Sequence, residues 1–455
     1  MKWVRSGWYI LLSIGCGLCI LLLVFRLLNT PETKPQSTTS KDLFQKPNVK
    51  KPNIILVTVE CLRSDHVSSY GYDRNTTPNT DQFFKNGVRF DQAIASSSWT
   101  LPSIVSLFTS LYPQQHGAIT GFFSETDQTV SQQKLSPELV FVTDVLSQNG
   151  YYTYGLSTNP HLTSLWGFES HFDRLDDYNL FGDAASVVER ILSKRKHLEE
   201  NQPFFLWIHF FDPHWPYYPK LPWIKNYNHT KPKIPSDLYQ NFFKDQIAKY
   251  HLTPPHPLFE YLLDCYDSEI AFWDYWMQKI YDAFDKTDTV FIVAGDHGEG
   301  FYEHGEVDHG YSLNSELLRV PLFIKFPGKI FENQTVSDPV SLMDLAPTIL
   351  HVARIEQKPS FCGSNLVDAL QEPSKNTNRY ALAHLNNFNI NQISIENTQW
   401  KLIGDIYKNR YYLYDKTFDA SETMDYYQVN TETAEIMIRA YYEIVKEADK
   451  YRAQP

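Results

Sequence analysis

Residues 52–60 read Pro52-Asn53-Ile54-Ile55-Leu56-Val57-Thr58-Val59-Glu60. The run Asn53–Val59 is too short for a helix, rich in β-branched residues and almost wholly apolar, which predicts a strand covered on both faces. Glu60 then stands at the carboxyl end of that strand. Four further runs have the same character: Tyr151–Ser157, Phe204–Phe211, Thr289–Gly295 and Val320–Phe326. Helix-like stretches lie among them, including Glu138–Gln148, Ala184–Leu192 and Asp267–Phe284. Buried strands alternating with helices predict an α/β fold in which helices sandwich a parallel sheet.

Polar residues gather where these strands end. Asn159 and His161 follow the second strand, Asp212 and His214 the third, and Asp296 and His297 the fourth. Open α/β sheets bind ligands outside the carboxyl ends of their strands. Glu60, Asp296 and His297 therefore form a candidate metal set. Two carboxylates and one imidazole suit a single divalent ion: Mn²⁺, Mg²⁺, Ca²⁺ or Zn²⁺.

The segment Ser97-Ser98-Trp99-Thr100-Leu101-Pro102-Ser103-Ile104 supplies a candidate nucleophile. Pro102 suits the first turn of a helix running to Leu111, which puts Thr100 at the helix N-terminus, where the dipole favours an anionic ester. Thr100 also serves as a metal ligand in this reading, and a metal ion on its oxygen lowers its pKa. The plainer alternative is a helix cap. His214 and His309 are candidates for protonating a leaving oxygen. Asn159, His161 and His304 are candidate substrate-binding residues. His209, inside an apolar strand, is assigned to the core.

The formal charge of −12 excludes nucleic acid as the main partner, because phosphate backbones require a basic footprint. At 455 residues the chain is long enough for two or three domains. Cys16 and Cys19 lie in the apolar N-terminal stretch; Cys61, Cys265 and Cys362 show no metal-type spacing and are expected as buried free thiols, with a Cys265–Cys362 bridge as the alternative. Trp8–Phe25 contains no charged residue and follows Lys2 and Arg5. It is expected to be an uncleaved single-pass helix with the remainder outside the cytoplasm, a cleaved signal peptide or a lipoprotein at Cys16 being the alternatives. The expected domains are an anchor over 1–28, a flexible linker over 29–51, a catalytic domain over 52–375 and a subdomain over 376–455. In that subdomain Gln392–Glu396, Trp400–Asp405 and Arg410–Tyr414 read as antiparallel strands, and Glu432–Tyr451 as a helix with Ala434, Met437, Ile438, Tyr441, Val445 and Ala448 on one face.

These segments, in this order, resemble the sulfatase family of the alkaline-phosphatase superfamily. The resemblance rests on Pro52–Val57, Thr77-Pro78-Asn79, Gly87-Val88-Arg89-Phe90, the Thr100 segment, Asp212-Pro213-His214, Gly295-Asp296-His297-Gly298-Glu299, Arg319-Val320-Pro321 and Asp344-Leu345-Ala346-Pro347-Thr348. It implies the sulfatase fold over roughly residues 52 to 350 and a C-terminal subdomain after it. The departures are chemical. Sulfatases place a Cys or Ser, converted to formylglycine, where this chain has Thr100, and an Arg where it has Ile104. Cys61 stands where a second Asp is usual, His297 where Asn is common, and Asn159-Pro160-His161 lacks the family's Lys. Glu60, Thr100, Asp296 and His297 match the lipoteichoic acid synthase branch, whose members look like Mn²⁺-dependent phosphoglycerol transferases. The resemblance thus implies chemistry on phosphate-type esters, with Mn²⁺ the favoured ion. This chain has one expected anchor, unlike the several membrane helices of those synthases, so their own substrate is not carried over, and the expected substrate class is an envelope glycan or lipid-linked ester. A sulfatase acting on sulfated glycans is the first alternative, and a non-catalytic binding module the second.

Overall fold

A computed structural model describes residues 50–124, 129–227, 253–285, 288–358, 360–371, 379–387 and 389–451. The central sheet contains β1 (Asn53–Val59), β2 (Val88–Phe90), β3 (Tyr152–Ser157), β4 (Arg174–Asp176), β5 (Phe204–Phe210), β6 (Thr289–Gly295), β7 (Leu322–Lys325) and β8 (Gln334–Val336). Their order across the sheet is β8-β2-β7-β6-β1-β5-β3-β4. β1 lies between β5 and β6, parallel to both, and β3 is parallel to β5 and β4. The run Val320–Phe326 departs from expectation. It splits at Pro321 into a two-residue strand, Arg319–Val320, and β7, and β7 pairs antiparallel with β2 and β6. Pro321 lacks the N–H that would continue a ladder, and an apolar run carries no information about strand direction.

Every residue of β1, β5 and β6 is buried, because helices cover both faces. They are α1 (Pro78–Phe84), α2 (Thr100–Thr109), α3 (Val142–Gln148), α4 (Ala184–Glu200), α5 (Pro257–Phe284) and α6 (Leu345–Val352). The two-residue period of β5 divides its side chains. Phe204, Leu206, Ile208 and Phe210 enter the core cluster that also holds Val187, Ile191, Leu262 and Trp273 of α4 and α5. Trp207 turns to the other face, where its ring lies 4.9 Å from that of Phe108 of α2. The helices differ from expectation at their ends: α3 starts at Val142, α4 continues to Glu200 and α5 begins at Pro257. A Pro at the start of α5 satisfies the first-turn geometry, and His256 caps it, its side chain accepting from the Leu258 N–H.

A second, antiparallel sheet follows in the order β9 (Ala381–Asn387), β10 (Ile390–Glu396), β11 (Trp400–Asp405) and β12 (Arg410–Asp415). Helix α7 (Thr431–Ala448) buries Ala434, Met437, Tyr441 and Ala448 against it. Strand β9 went unrecognised in the sequence; His384 within it donates its backbone N–H to Ser96 O at 2.9 Å, tying the sheet to the segment before α2. The expected boundary near residue 376 lies outside the described residues. Cys61, Cys265 and Cys362 are free thiols. Among the described residues no helix is long and apolar enough to cross a membrane; the expected span Trp8–Phe25 lies outside them.

Candidate active site

Three strand ends and one helix start meet at the carboxyl edge of the sheet. Glu60 extends the β1–β5 ladder, its N–H donating to Phe210 O at 3.1 Å, and Asp296 extends β6 in the same way, donating to Val59 O at 3.1 Å. The register thereby fixes the two carboxylates side by side. Glycines permit the turn after β6. A Cβ on Gly298 would lie 1.9 Å from Glu316 O, and one on Gly295 would lie 2.5 Å from Leu62 O. Thr100 is the first residue of α2, with Trp99 extended before it, and Ser103 of the same turn donates its hydroxyl to Asp296 O at 2.6 Å.

The side chains converge. Thr100 Oγ1 donates to Glu60 Oε1 at 2.6 Å and lies 3.3 Å from His297 Nε2. His297 Nδ1 lies 2.8 Å from Gly298 O, so the proton sits on Nδ1 and the Nε2 lone pair faces Thr100. Burial, aided by the charge on His309, pushes the His297 pKa down to about 3, which keeps that lone pair free. Asp296 Oδ1 accepts from the Cys61 and His297 N–H groups at 3.1 and 2.7 Å, whereas Oδ2 is buried with no hydrogen-bond partner. Burial and the neighbouring Glu60 push the Asp296 carboxyl well up. For Glu60, burial opposes ionisation, but the His209 hydrogen bond and the neighbouring imidazoles of His214, His209 and His297 hold the carboxyl well below the usual range.

This donor set fits a divalent cation. Two carboxylates share a site that is 0% exposed, one carboxylate oxygen is orphaned, and the His297 Nε2 lone pair lies 3.6 Å from that oxygen and 3.3 Å from the Thr100 hydroxyl. Among the described residues no Lys or Arg pairs with either carboxylate.

The site opens into a pocket of about 300 Å³ lined by Glu60, Thr100, Asn159, Pro160, His161, His214, Asp308, His309, Gly310, Gly121 and Asn387, with Trp99, Phe181, Phe211, Trp215 and Pro216 as its apolar walls. His309 Nδ1 lies 3.1 Å from Glu299 Oε1 and 3.0 Å from Asp308 Oδ1. Burial opposes its charge, but those two carboxylates prevail and push its pKa up to about 10. His309 is therefore an imidazolium at the pocket wall. His214 stacks on Phe211, hydrogen-bonds Trp215 O through Nδ1 and holds Nε2 at 3.9 Å from Glu60 Oε1.

Three expected roles change. Asn159 is buried and spans both oxygens of Glu60, at 2.7 and 2.6 Å, so it holds the carboxylate rather than meeting substrate alone. His304 is not among the pocket-lining residues: its Nδ1 pairs with Glu316 Oε1 at 2.7 Å inside the main domain, and its Nε2 lies 3.3 Å from the backbone Glu422 O of the C-terminal subdomain. His209 is no core bystander, since its Nε2 lies 3.0 Å from Glu60 Oε2. His161 does line the pocket, its Nδ1–H donating to Gln132 Oε1 at 2.6 Å. Asn387, from β9, and the aromatic walls were not singled out in the sequence, because they arrive from distant segments with no shared motif.

Comparison with known proteins gives the family and the fold. The model of the Sulfatase family matches residues 52–355, and that of the N-sulphoglucosamine sulphohydrolase C-terminal region matches residues 302–450. The uncharacterized sulfatase YidJ of Escherichia coli is 22% identical over 387 residues, 74% of this chain and 75% of that protein. The N-acetylglucosamine-6-O-sulfatase of Bacteroides thetaiotaomicron is 22% identical over 418 residues, 73% of each. A solved structure of a protein with its substrate D-glucosamine-2-N,6-O-disulfate superposes with a TM-score of 0.70 at 18% identity, covering 89% of this chain and 99% of that one. The phosphonate monoester hydrolase of Silicibacter pomeroyi superposes with a TM-score of 0.69 at 16% identity, covering 88% and 96%. At such identities the structural likeness shows the shared fold.

Proposed function

We infer that this chain, which belongs to the sulfatase family, is a hydrolase or transferase of phosphate-type esters that uses Thr100 as its nucleophile. One observation carries the reading. The hydroxyl at the head of α2 is a secondary alcohol, aimed at Glu60 Oε1 at 2.6 Å and beside His297 Nε2 at 3.3 Å, on the floor of the pocket. A threonine cannot be oxidised to the aldehyde that the family's usual chemistry requires, yet its oxygen is held as a nucleophile would be.

Glu60, Asp296, His297 and Thr100 would hold one divalent ion, with Mn²⁺ favoured. When bound, such an ion supplies Lewis-acid stabilisation of the ester oxygens and lowers the pKa of the threonine hydroxyl. The chain's own groups do the rest. Thr100 Oγ1 attacks phosphorus, its proton leaving toward Glu60 Oε1, the acceptor it already faces. The bond from phosphorus to the leaving oxygen breaks, and that oxygen takes a proton from His309, which Glu299 and Asp308 keep charged. Water or an acceptor hydroxyl, yielding its proton to the now neutral imidazole, then displaces Thr100 from phosphorus, and the departing Oγ1 takes back its proton from Glu60. His214, whose ring lies 5.1 Å from that of His309, positions a non-bridging oxygen. The described pocket lining contains no Lys or Arg, which supports an ester whose remainder is uncharged, an envelope glycan or lipid-linked group, over a polysulfated one. Anchoring through Trp8–Phe25, with the catalytic domain outside the cytoplasm, belongs to the same proposal.

The second reading, a sulfuric ester hydrolase, draws on the sulfatases among the relatives. Turnover of aryl phosphodiester, phosphomonoester and sulfate substrates, each with Mn²⁺, Mg²⁺, Ca²⁺ and Zn²⁺, separates the two. The phosphodiester should be the best substrate, with Mn²⁺ the best ion. Robust sulfate-ester turnover with no phosphoester activity under any metal would overturn the reading.

A further inference from the structure

The geometry points to a buried hydrogen-bond relay, Trp207 to Thr58 to His209 to Glu60, that orients the Glu60 carboxylate; we propose His209 as the positioning residue of the metal site, with Thr58 fixing its tautomer. This rests on the reading of Glu60 as a metal ligand. All four side chains are 0% exposed. Strand register builds the relay: Thr58 and His209 are partners across β1 and β5, and Trp207 lies two residues before His209 on the same face.

The direction of each bond follows from what each atom can do. The indole Nε1 of Trp207 only donates, and it meets Thr58 Oγ1 at 2.9 Å. Thr58 Oγ1 lies 2.8 Å from His209 Nδ1. Glu60 Oε2, an acceptor in its ionised form, lies 3.0 Å from His209 Nε2. The one arrangement that gives every proton an acceptor in the chain has Trp207 donating to Thr58, the Thr58 hydroxyl donating to His209 Nδ1, and His209 Nε2–H donating to Glu60 Oε2. Its opposite, with the proton on Nδ1, would set the Nε2 lone pair against a carboxylate oxygen and leave the Thr58 hydroxyl proton unplaced. With the Asn159 amide across both oxygens, the relay clamps Glu60 and leaves Oε1 turned toward Thr100. Groups of this kind, which orient a ligand without binding the ion, commonly change metal affinity by about 10- to 100-fold when removed.

The test uses the full-length chain, stripped of divalent ions with a chelator and titrated with Mn²⁺ by calorimetry, so that no substrate is required. Thr58→Val should weaken Mn²⁺ binding by about 10-fold, and His209→Phe by about 100-fold. His209→Gln, whose amide N–H can replace Nε2–H, should return affinity to within a few-fold of wild type. In turnover assays at saturating Mn²⁺ the loss should fall on kcat, with KM little changed, because no relay residue lines the pocket apart from Glu60 itself. Circular dichroism confirms that each variant is folded; should His209→Phe fail to fold, Thr58→Val and His209→Gln still decide the matter. Wild-type affinity in folded Thr58→Val would overturn the relay. Equal loss in His209→Gln and His209→Phe, with Thr58→Val unaffected, would make His209 a ligand and overturn the positioning role. A wild-type chain that takes up no Mn²⁺ would instead refute the metal site on which the inference rests.

Discussion

Replacing Asp296 by Asn should stabilise the metal-free protein and abolish its response to metal. Carboxylate oxygens of Asp296 and Glu60 lie within 4.8 Å of one another, both fully buried. Two full charges at that separation repel by about 3 kcal/mol at an effective dielectric of about 20. With the Asp296 carboxyl pushed well up by burial and Glu60, the metal-free site meets this repulsion either directly or by taking up a proton, at a cost of up to about 3 kcal/mol. The amide removes it at little cost in hydrogen bonds. Its oxygen can still accept from the Cys61 and His297 N–H groups, and its NH₂ takes the place of the orphaned Oδ2, which lies 3.6 Å from His297 Nε2. The compact unit Pro47–Pro455 is large, so that 3 kcal/mol corresponds to a rise of roughly 4 °C in Tm. Wild-type protein with Mn²⁺ at about 100 times its Kd should gain about 2.7 kcal/mol, or roughly 3 °C. Scanning calorimetry of the full-length chain, with chelator and with Mn²⁺, reads both effects. A lower Tm for metal-free Asp296→Asn, or an undiminished Mn²⁺ response in that variant, would refute the reasoning.

The remaining predictions are simpler. The Glu316 hydrogen bond raises the His304 pKa to about 9 against burial, so its folded value lies above its unfolded one. Its contribution to stability is therefore complete below about pH 6.5 and disappears as pH rises through about 9. With the side chain 24% exposed, screening leaves roughly 1–2 kcal/mol. Urea unfolding at pH 6.5 and pH 9.5 should show that difference in wild type and its loss in His304→Gln; an unchanged difference in the variant would discount the pair. Protease added to intact cells, after removal of any outer envelope layers, should digest residues 52 onward; protection until lysis would refute the proposed orientation.

The central residues were legible because strand ends are legible. An apolar run stops where the sheet stops, and a charged residue placed immediately after it must sit at the edge. Glu60, Asp296 and His297 could be read in this way, and Thr100 from the helix-start pattern around Pro102. What sequence could not supply was register and long-range capture. The period of two places Trp207 and His209 on one face of β5, but nothing local shows that Thr58 lies opposite His209. His304 lies close to His309 in sequence, yet the chain turns at Gly305, with φ of +81°, and the Glu316 carboxylate and the Glu422 carbonyl draw the imidazole away. Glu422 is itself held by Lys401 at 2.9 Å and by Asn314. The antiparallel course of β7 was hidden for a related reason, since burial on both faces erases the alternation that would distinguish strand settings.

The most direct test of the account is the fate of Thr100 during turnover. Wild-type enzyme quenched with a phosphodiester substrate and Mn²⁺, then digested and analysed by mass spectrometry, should carry a phosphate-type adduct on the peptide containing Thr100. Thr100→Ala should carry none and should lose several orders of magnitude in kcat while keeping its fold, since removing a nucleophile commonly costs about 10⁴-fold or more. A Thr100→Ala enzyme with wild-type turnover would contradict the account, as would an adduct found on any other residue.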